Sequence, residues 1–181
     1  MQVTTIDWLD AGLKALGEQG PQALRIEPLC KALGVTKGSF YHHFPHLKAY
    51  VDALLEHWVA QHTARLIDAV AEMDDPLERM QKLGEMAYGA DMNVEVAIRA
   101  WGRSEVRAAQ TVHRVDERRL DYLTEQGTQM GLPPAQAGLM AKMGYAQLIG
   151  VQHLQDHIST DDALAMDALM ATLAQQNTRA S

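Results

Sequence analysis

The 181-residue sequence has little cysteine, few aromatic side chains and no long uninterrupted apolar stretch. Its one cysteine, Cys30, excludes an intramolecular disulfide framework and fits a reducing compartment. No run of about 18 apolar residues is free of charge, so no segment is expected to span a membrane. The first residues also lack the basic and apolar blocks of a secretory signal. We therefore expect a cytoplasmic protein with no membrane partner.

Basic side chains are also scarce, since 16 Lys and Arg stand against 23 Asp and Glu, which gives a net charge of −7. Residues 1–50 hold five basic and four acidic residues, a net charge of +1, so the remainder of the chain carries −8. Because phosphates attract cations, this asymmetry is typical of a small DNA-contacting segment attached to an acidic body.

The period-two alternation of β-strands is absent, and apolar residues recur at helical spacing over nearly the whole chain. The pattern predicts three short helices before Pro45, and then helices over about 46–73, 76–89, 92–102, 104–130, 134–157 and 161–175. We therefore expect an all-α protein. It would have an N-terminal three-helix helix-turn-helix domain over residues 1–45 and a larger bundle of about six helices over residues 46–181.

Residues 22–51 predict the helix-turn-helix unit, in which a short turn joins two helices of about two turns each. Gly34 tolerates the positive φ that such a turn needs, and the Thr36 hydroxyl could cap the second helix. Phe40 and Phe44, at i and i+4, can face the core, which leaves the opposite face of this helix exposed. The exposed residues suited to reading bases in a major groove are Lys37, Gly38, Tyr41 and His42. The short donors suited to contacting phosphate are Thr36, Ser39 and His43.

A resemblance to the TetR family of transcriptional regulators is carried by residues 32–45, ALGVTKGSFYHHFP, and extends over about residues 4–52. It implies a homodimer that binds double-stranded DNA at a palindromic operator, most often a repressor released by a small-molecule inducer. It implies neither a cofactor nor an enzymatic activity. Arg25 departs from the usual Thr or Ser, and Leu47 from a usual Lys. We expect Arg25 and Lys48 to contact phosphate instead.

The helix predicted over 134–157 is apolar on two sides and therefore needs packing partners on both. The side rich in small residues is assigned to a dimer interface, because small residues let another helix approach closely: Ala137, Ala141, Gly144, Leu148 and Val151. The other side carries Leu139, Met143, Ala146 and Ile149. The last helix would add Met166, Met170 and Leu173 to a four-helix bundle between two subunits. Alternatively, both helices complete a monomeric core.

Methionines and aromatic residues on the apolar faces of the body favour an internal pocket for the inducer, whose identity the sequence leaves open. The candidate lining residues are Trp58, His62, Tyr88, Trp101 and Tyr145. The long helix over 46–73 begins beside the recognition helix and ends in the body, so it would couple the pocket to DNA binding.

Two histidine groups could suggest a metal site, namely His42, His43 and His46, and the i, i+4 pair His153 and His157. No cysteine or carboxylate completes either set, so no metal is expected. Two other functions stay open, a helical enzyme or a protein-binding adaptor in which the N-terminal unit is only scaffold. DNA binding with a steep salt dependence would exclude both.

Overall fold

The computed structural model describes the backbone of residues 3–179 and the side chains of residues 3–173. The helices are α1 Thr5–Gln19, α2 Ile26–Leu33, α3 Lys37–His43, α4 Leu47–Val59, α5 Arg65–Val70, α6 Pro76–Tyr88, α7 Met92–Trp101, α8 Val106–Gln129, α9 Pro134–His153 and α10 Thr160–Arg179. The backbone over residues 3–179 contains no β-strand, so the all-α prediction is confirmed. None of the helices in this range has the length and apolar content needed to cross a membrane.

Short polar side chains determine where several helices begin. The Thr4 side chain accepts from the Asp7 amide, and the Asp7 carboxylate accepts from the Thr4 amide over 2.7 Å, which forms a capping box at α1. Asp75 caps α6 by accepting from the Leu77 amide over 2.8 Å, with Pro76 at the first helical position as the sequence predicted.

The long helix predicted over residues 46–73 is present but contains a turn of different geometry. Residues 47–70 are helical throughout, and a π-helical turn, Ala60–Ala64, separates α4 from α5. In a π-helical turn each backbone hydrogen bond joins residues five positions apart, instead of the four of an α-helix. Such turns are commonly found at functional positions. Apolar spacing alone did not predict it.

The chain divides into two compact units, of which the first comprises Met1–Gln61 and Asp91–His113. Its fully buried large side chains are Trp8, Leu16, Leu29, Phe40, Tyr50, Leu54, Leu55, Trp58 and Ile98. Both α4 and α7 pack against α1. The contact with α7 is so close that a Cβ added at Gly17 would lie 3.2 Å from Cγ2 of Val94.

The second unit comprises His62–Ala90 and Arg114–Ser181. In it α6 packs against α5 and α10, and α10 also packs against α9. Buried apolar residues in this unit include Val70, Tyr88, Val115, Ala137, Ala141, Val151 and Ala163. The division of function at residue 45 remains a prediction, since compactness groups residues 46–61 with the first unit.

Candidate nucleic-acid interface

The turn between α2 and α3 has the geometry that Gly34 was predicted to supply. Gly34 adopts φ 67° and ψ 31°, the left-handed conformation that glycine adopts without steric cost. The next amide, that of Val35, donates to the Cys30 carbonyl over 3.0 Å, which closes the end of α2. The predicted cap at Thr36 is wrong, because its side chain makes no capping hydrogen bond to α3. The exposed Thr36 hydroxyl therefore has no role in fixing the start of that helix.

The inner face of α3 is held by aromatic packing. Phe40 is fully buried and Phe44 is nearly so, which confirms that both face inward. The Phe40 ring centroid lies 5.4 Å from that of Trp8 and 5.6 Å from that of Tyr50, and Phe44 lies 5.0 Å from Tyr50. These edge-to-face contacts fix the rotation of α3 about its own axis. The sequence reasoning missed Trp8, although its apolar position on α1 was a usable signal.

The outer face of α3 carries the four residues predicted to read bases. Lys37, Gly38, Tyr41 and His42 are all exposed, and Tyr41 has 55% of its surface open to solvent. Positions i, i+1, i+4 and i+5 lie on one side of a helix, so one surface presents an ammonium group, a phenol and an imidazole. An added Cβ at Gly38 would meet only the Thr36 hydroxyl, at 3.5 Å. This surface has the donor types that major-groove recognition requires.

One of the four residues, Lys37, has an oppositely charged partner within the helix-turn-helix. The Lys37 ammonium forms an ion pair with the Glu27 carboxylate on α2. The hydrogen bond and the charge attraction lower the pKa of Glu27 and raise the pKa of Lys37. Both side chains remain largely exposed, so water competes strongly with this pair. The Lys37 ammonium can therefore exchange Glu27 for another acceptor.

The residues predicted to contact phosphate differ in their surroundings. Arg25, Thr36 and Lys48 are exposed, and Arg25 precedes α2 with its Nε donating to the Gln22 carbonyl over 3.0 Å. Ser39 and His43 are half-buried. The Nδ1 atom of His43 lies 3.0 Å from the Thr5 hydroxyl in a hydrogen bond, so a phosphate contact from His43 would use Nε2.

His46, which the sequence placed near His42 and His43, acts as a helix cap. Its Nδ1 atom accepts from the Ala49 amide over 3.0 Å at the start of α4. No three His, Cys, Asp or Glu side chains within the described part of the chain are grouped to hold a metal ion.

The helix-turn-helix segment is similar in sequence to a family of known proteins. Residues 9–48 match the family of bacterial regulatory proteins designated tetR. Over this segment the chain is similar to TetR-family regulators. The match runs from α1 to the start of α4, and therefore includes all four base-reading candidates.

The known proteins to which this chain is similar include transcriptional regulators. It is 33% identical over 82 residues to the HTH-type transcriptional repressor KstR2 of Mycobacterium tuberculosis. That alignment covers 45% of this chain and 41% of the relative, so the chain matches about two fifths of that relative's length. A transcriptional regulator from Rhodococcus sp. Rha1 shares the fold at 14% identity, a TM-score of 0.78 and 97% coverage of both chains. A regulator from Saccharomonospora viridis in complex with choline shares it at 15% identity, a TM-score of 0.76 and 96% coverage of both.

The dimer face assigned from sequence lies mostly inside the chain itself. Ala137, Ala141 and Val151 are buried by their own subunit, and Gly144 and Leu148 are half-buried on the wall of a cavity. The assignment to a dimer interface is therefore wrong for the buried residues. Beside Ala137 the space is filled by α8, since a Cβ added at Gly127 on that helix would lie 3.1 Å from the Cβ of Ala137. On α10, Met166 and Leu173 are exposed and Met170 is half-buried against the cavity. The large exposed apolar residues of the two helices and the turn after α9 are Leu139, Met143, Leu154, Met166, Leu169 and Leu173.

The pocket residues predicted from sequence do not all come together. The second unit contains a cavity of about 610 Å³ between α6, α8, α9 and α10, and Tyr88 and Tyr145 line it. Trp58, His62 and Trp101 do not line this cavity, and Trp58 is fully buried in the core of the first unit. The sequence reasoning missed Asp167, a carboxylate on the cavity wall. The usable signal was an acidic residue four positions after Ala163 and three before Met170, on the apolar face of α10.

Proposed function

We propose that this chain is a cytoplasmic, sequence-specific DNA-binding transcriptional regulator that reads the major groove with α3. The observation that carries the proposal is the exposed set Lys37, Gly38, Tyr41 and His42 on a helix whose opposite face is locked by buried aromatic rings. A recognition helix needs this combination, since base contacts require a rigid scaffold and donors free to reach the base edges.

Repression is the regulatory role that the chain's relatives favour. The 33% identical relative is named a repressor, and its similarity to this chain covers 82 residues. The chain would then block transcription by occupying its operator. Activation is the alternative, and a reporter gene placed behind the operator distinguishes the two by the direction of its change on deletion of the regulator.

The exposed apolar residues of α9 and α10 support a homodimer. Leu139 and Met143 lie four positions apart on α9, and Met166, Leu169 and Leu173 follow helical spacing on α10. A second copy of the chain would cover both stripes in a two-fold arrangement that pairs each stripe with its equivalent. Two recognition helices would then meet an operator with half-sites about 34–36 Å apart, or a multiple of that spacing.

A hydrogen-bond network provides a route from the cavity to the long helix. Tyr145 lines the cavity, and its hydroxyl donates to Asp116 over 2.6 Å and accepts from Arg119 over 3.4 Å. Arg119 is buried and donates to the Thr63 hydroxyl over 3.0 Å and to the His62 carbonyl over 2.9 Å, both in the π-helical turn. A ligand that moves Tyr145 would disturb this turn, which is continuous in sequence with α4.

Ligand response then follows from linkage. A small molecule that binds the non-operator form more tightly must weaken operator binding by the same factor, and a tenfold loss requires about 1.4 kcal/mol. The regulator from Saccharomonospora viridis holds choline, which supports a small-molecule role for this fold. The enzyme and adaptor alternatives predict no salt-dependent DNA binding.

Selection of bound DNA from a random duplex pool tests the proposal. We expect enrichment of a near-palindromic sequence and an affinity that falls steeply with salt concentration, because phosphate contacts release counterions. The same selection with the Tyr41→Ala variant serves as the control and should enrich that sequence more weakly. Failure of the unaltered chain to enrich any sequence at low salt would contradict the proposal.

A further inference from the structure

The cavity of the second unit is apolar over most of its wall. Methionine, leucine and alanine side chains from α6, α8, α9 and α10 line it, together with the rings of Tyr88 and Tyr145. Its volume of about 610 Å³ lies within the range of small-molecule sites, roughly 300–1,000 Å³. Size and wall chemistry therefore suit an apolar small molecule.

The charges on the cavity wall have one sign. The lining residues all lie within the described part of the chain. They include the acidic residues Asp75, Glu85 and Asp167 but no Lys, Arg or His. Asp75 caps α6, and the exposed Glu85 pairs with Lys82 over 2.9 Å. Each of these two carboxylates therefore has a structural partner. Asp167 differs, because no cation among the described side chains is paired with it.

Asp167 is half-buried, and only one of its carboxylate oxygens is used within the described part of the chain. Its Oδ1 atom accepts from Gln147 Nε2 over 2.8 Å and from the Tyr88 hydroxyl over 3.4 Å. Its Oδ2 atom accepts no hydrogen bond from these residues and lies towards Gly84, where an added Cβ would be 3.2 Å away. Burial raises the pKa of Asp167, and the hydrogen bonds from Tyr88 and Gln147 oppose that shift. Within the described residues, the ionised carboxylate thus lacks both full hydration and a counter-ion.

We propose that the cavity binds an apolar molecule carrying one amine or ammonium group, with Asp167 as its counter-ion. The free Oδ2 accepts a hydrogen bond from the ammonium group, and the apolar part fills the space between α6, α8 and α9. A carboxylate ligand is disfavoured, because the described wall residues present three carboxylates to it and no basic partner. This inference rests on the proposed function, since it names the ligand class of the proposed regulator.

A purely structural role for Asp167 is the competing explanation. In that role Asp167 holds α10 against α6 and α9 through Tyr88 and Gln147. The amide introduced by Asp167→Asn would keep an oxygen in the place of Oδ1, so the variant retains these hydrogen bonds and removes only the charge. It therefore separates the counter-ion role from the structural one.

Binding of three eight-carbon probes tests the proposal, namely 1-octylamine, 1-octanol and octanoate. The probes share one chain length and differ in head-group charge at neutral pH. Calorimetric titration of the unaltered protein should show octylamine binding about tenfold or more tighter than octanol, with octanoate weakest, because a charge-assisted hydrogen bond forms only with the amine. Asp167→Asn should abolish the preference for the amine. The matched control Glu85→Gln removes an equally negative rim residue and should keep it.

Three outcomes would overturn the proposal. They are no octylamine binding, octanoate binding as tight as octylamine binding, or an amine preference that persists in Asp167→Asn. Circular dichroism of the variant verifies that it is folded. Operator binding is measured in parallel without any probe, so that loss of DNA binding with an intact amine preference would refute the regulator function alone. Intact DNA binding without an amine preference would refute the ligand class alone.

Discussion

The Tyr50 hydroxyl donates a hydrogen bond to the main-chain carbonyl of Trp8 over 2.9 Å, across the contact between α4 and α1. Both side chains are fully buried, and burial raises the pKa of Tyr50 well above its ordinary value. The phenol passes over Gly12, where an added Cβ would lie 1.9 Å from the Tyr50 oxygen. Because both rings also contact Phe40, this bond helps to position the recognition helix.

Gly12→Ala should destabilise the protein. The methyl group forces Tyr50 to move and breaks its bond to Trp8, which we expect to lower the free energy of unfolding by about 1–3 kcal/mol. Chemical denaturation measures this loss. The matched control is Gly138→Ala on α9, where nothing lies within 4 Å of an added Cβ. That variant should be neutral, or more stable by up to about 1 kcal/mol, because alanine favours helix. Equal stabilities of the two variants would argue against the proposed packing.

Glu27→Gln should tighten DNA binding. The Glu27 carboxylate competes with DNA for the Lys37 ammonium and repels phosphate, so we expect the dissociation constant for duplex DNA to fall about two- to fivefold. Fluorescence anisotropy at two salt concentrations measures the change, which should shrink at high salt. Glu18→Gln removes the same charge from an exposed pair with Lys14 on α1 and is the control. Weaker binding by Glu27→Gln would mean that Glu27 positions Lys37 for DNA.

Leu139→Glu should dissociate the proposed dimer. The substitution places a carboxylate in each copy of a stripe that the partner would bury, so the dimer dissociation constant should rise about hundredfold or more. Sedimentation velocity reports the change. Val106→Glu is the control, because Val106 is exposed to a similar degree, 68% against 61% for Leu139, but lies outside the stripe. If Leu139→Glu leaves a dimer intact, the subunit contact lies on another face.

Asp167→Asn should raise the melting temperature at neutral pH. The pKa of Asp167 is higher in the folded chain than in the unfolded one, so the folded state binds the proton more tightly. The stabilisation from that proton is complete below the unfolded pKa and is lost as the pH rises through the folded pKa. Asparagine stays neutral, so its advantage should be present at about pH 8 and shrink towards about pH 4. Thermal denaturation across this pH range measures the difference in melting temperature between variant and parent. A variant that melts below the parent at the alkaline end of the range would contradict the predicted stabilisation.

Local sequence determined the helix-turn-helix closely. Gly34 has the left-handed backbone that the turn requires, and Phe40 and Phe44 face inward because their spacing leaves them on one side of a short helix. The Thr36 cap failed because a hydroxyl at an N-cap position has other rotamers available, and sequence does not select among them. These features depend on contacts within a few residues, which is why most of them were predictable.

Long-range packing was harder to predict. The periodicity of α9 showed two apolar sides but could not tell which one its own chain covers, since small residues such as Ala137 suit close packing within a subunit as well as between subunits. Aromatic residues were assigned to the pocket by type, yet Trp58 fills the core of the first unit. Thr63 in the π-helical turn accepts a hydrogen bond from Arg119, 56 positions further along the chain, and no local pattern encodes such a contact.

The most direct test of the recognition surface is the affinity of Lys37→Ala and Tyr41→Ala for the operator obtained by selection. Fluorescence anisotropy should show each variant losing about five- to 150-fold in affinity for that operator while remaining folded, because each loses a contact to base or backbone. Lys14→Ala on α1 removes one equal charge and should bind almost as the unaltered chain does. Operator affinity unchanged in both Lys37→Ala and Tyr41→Ala would contradict the account.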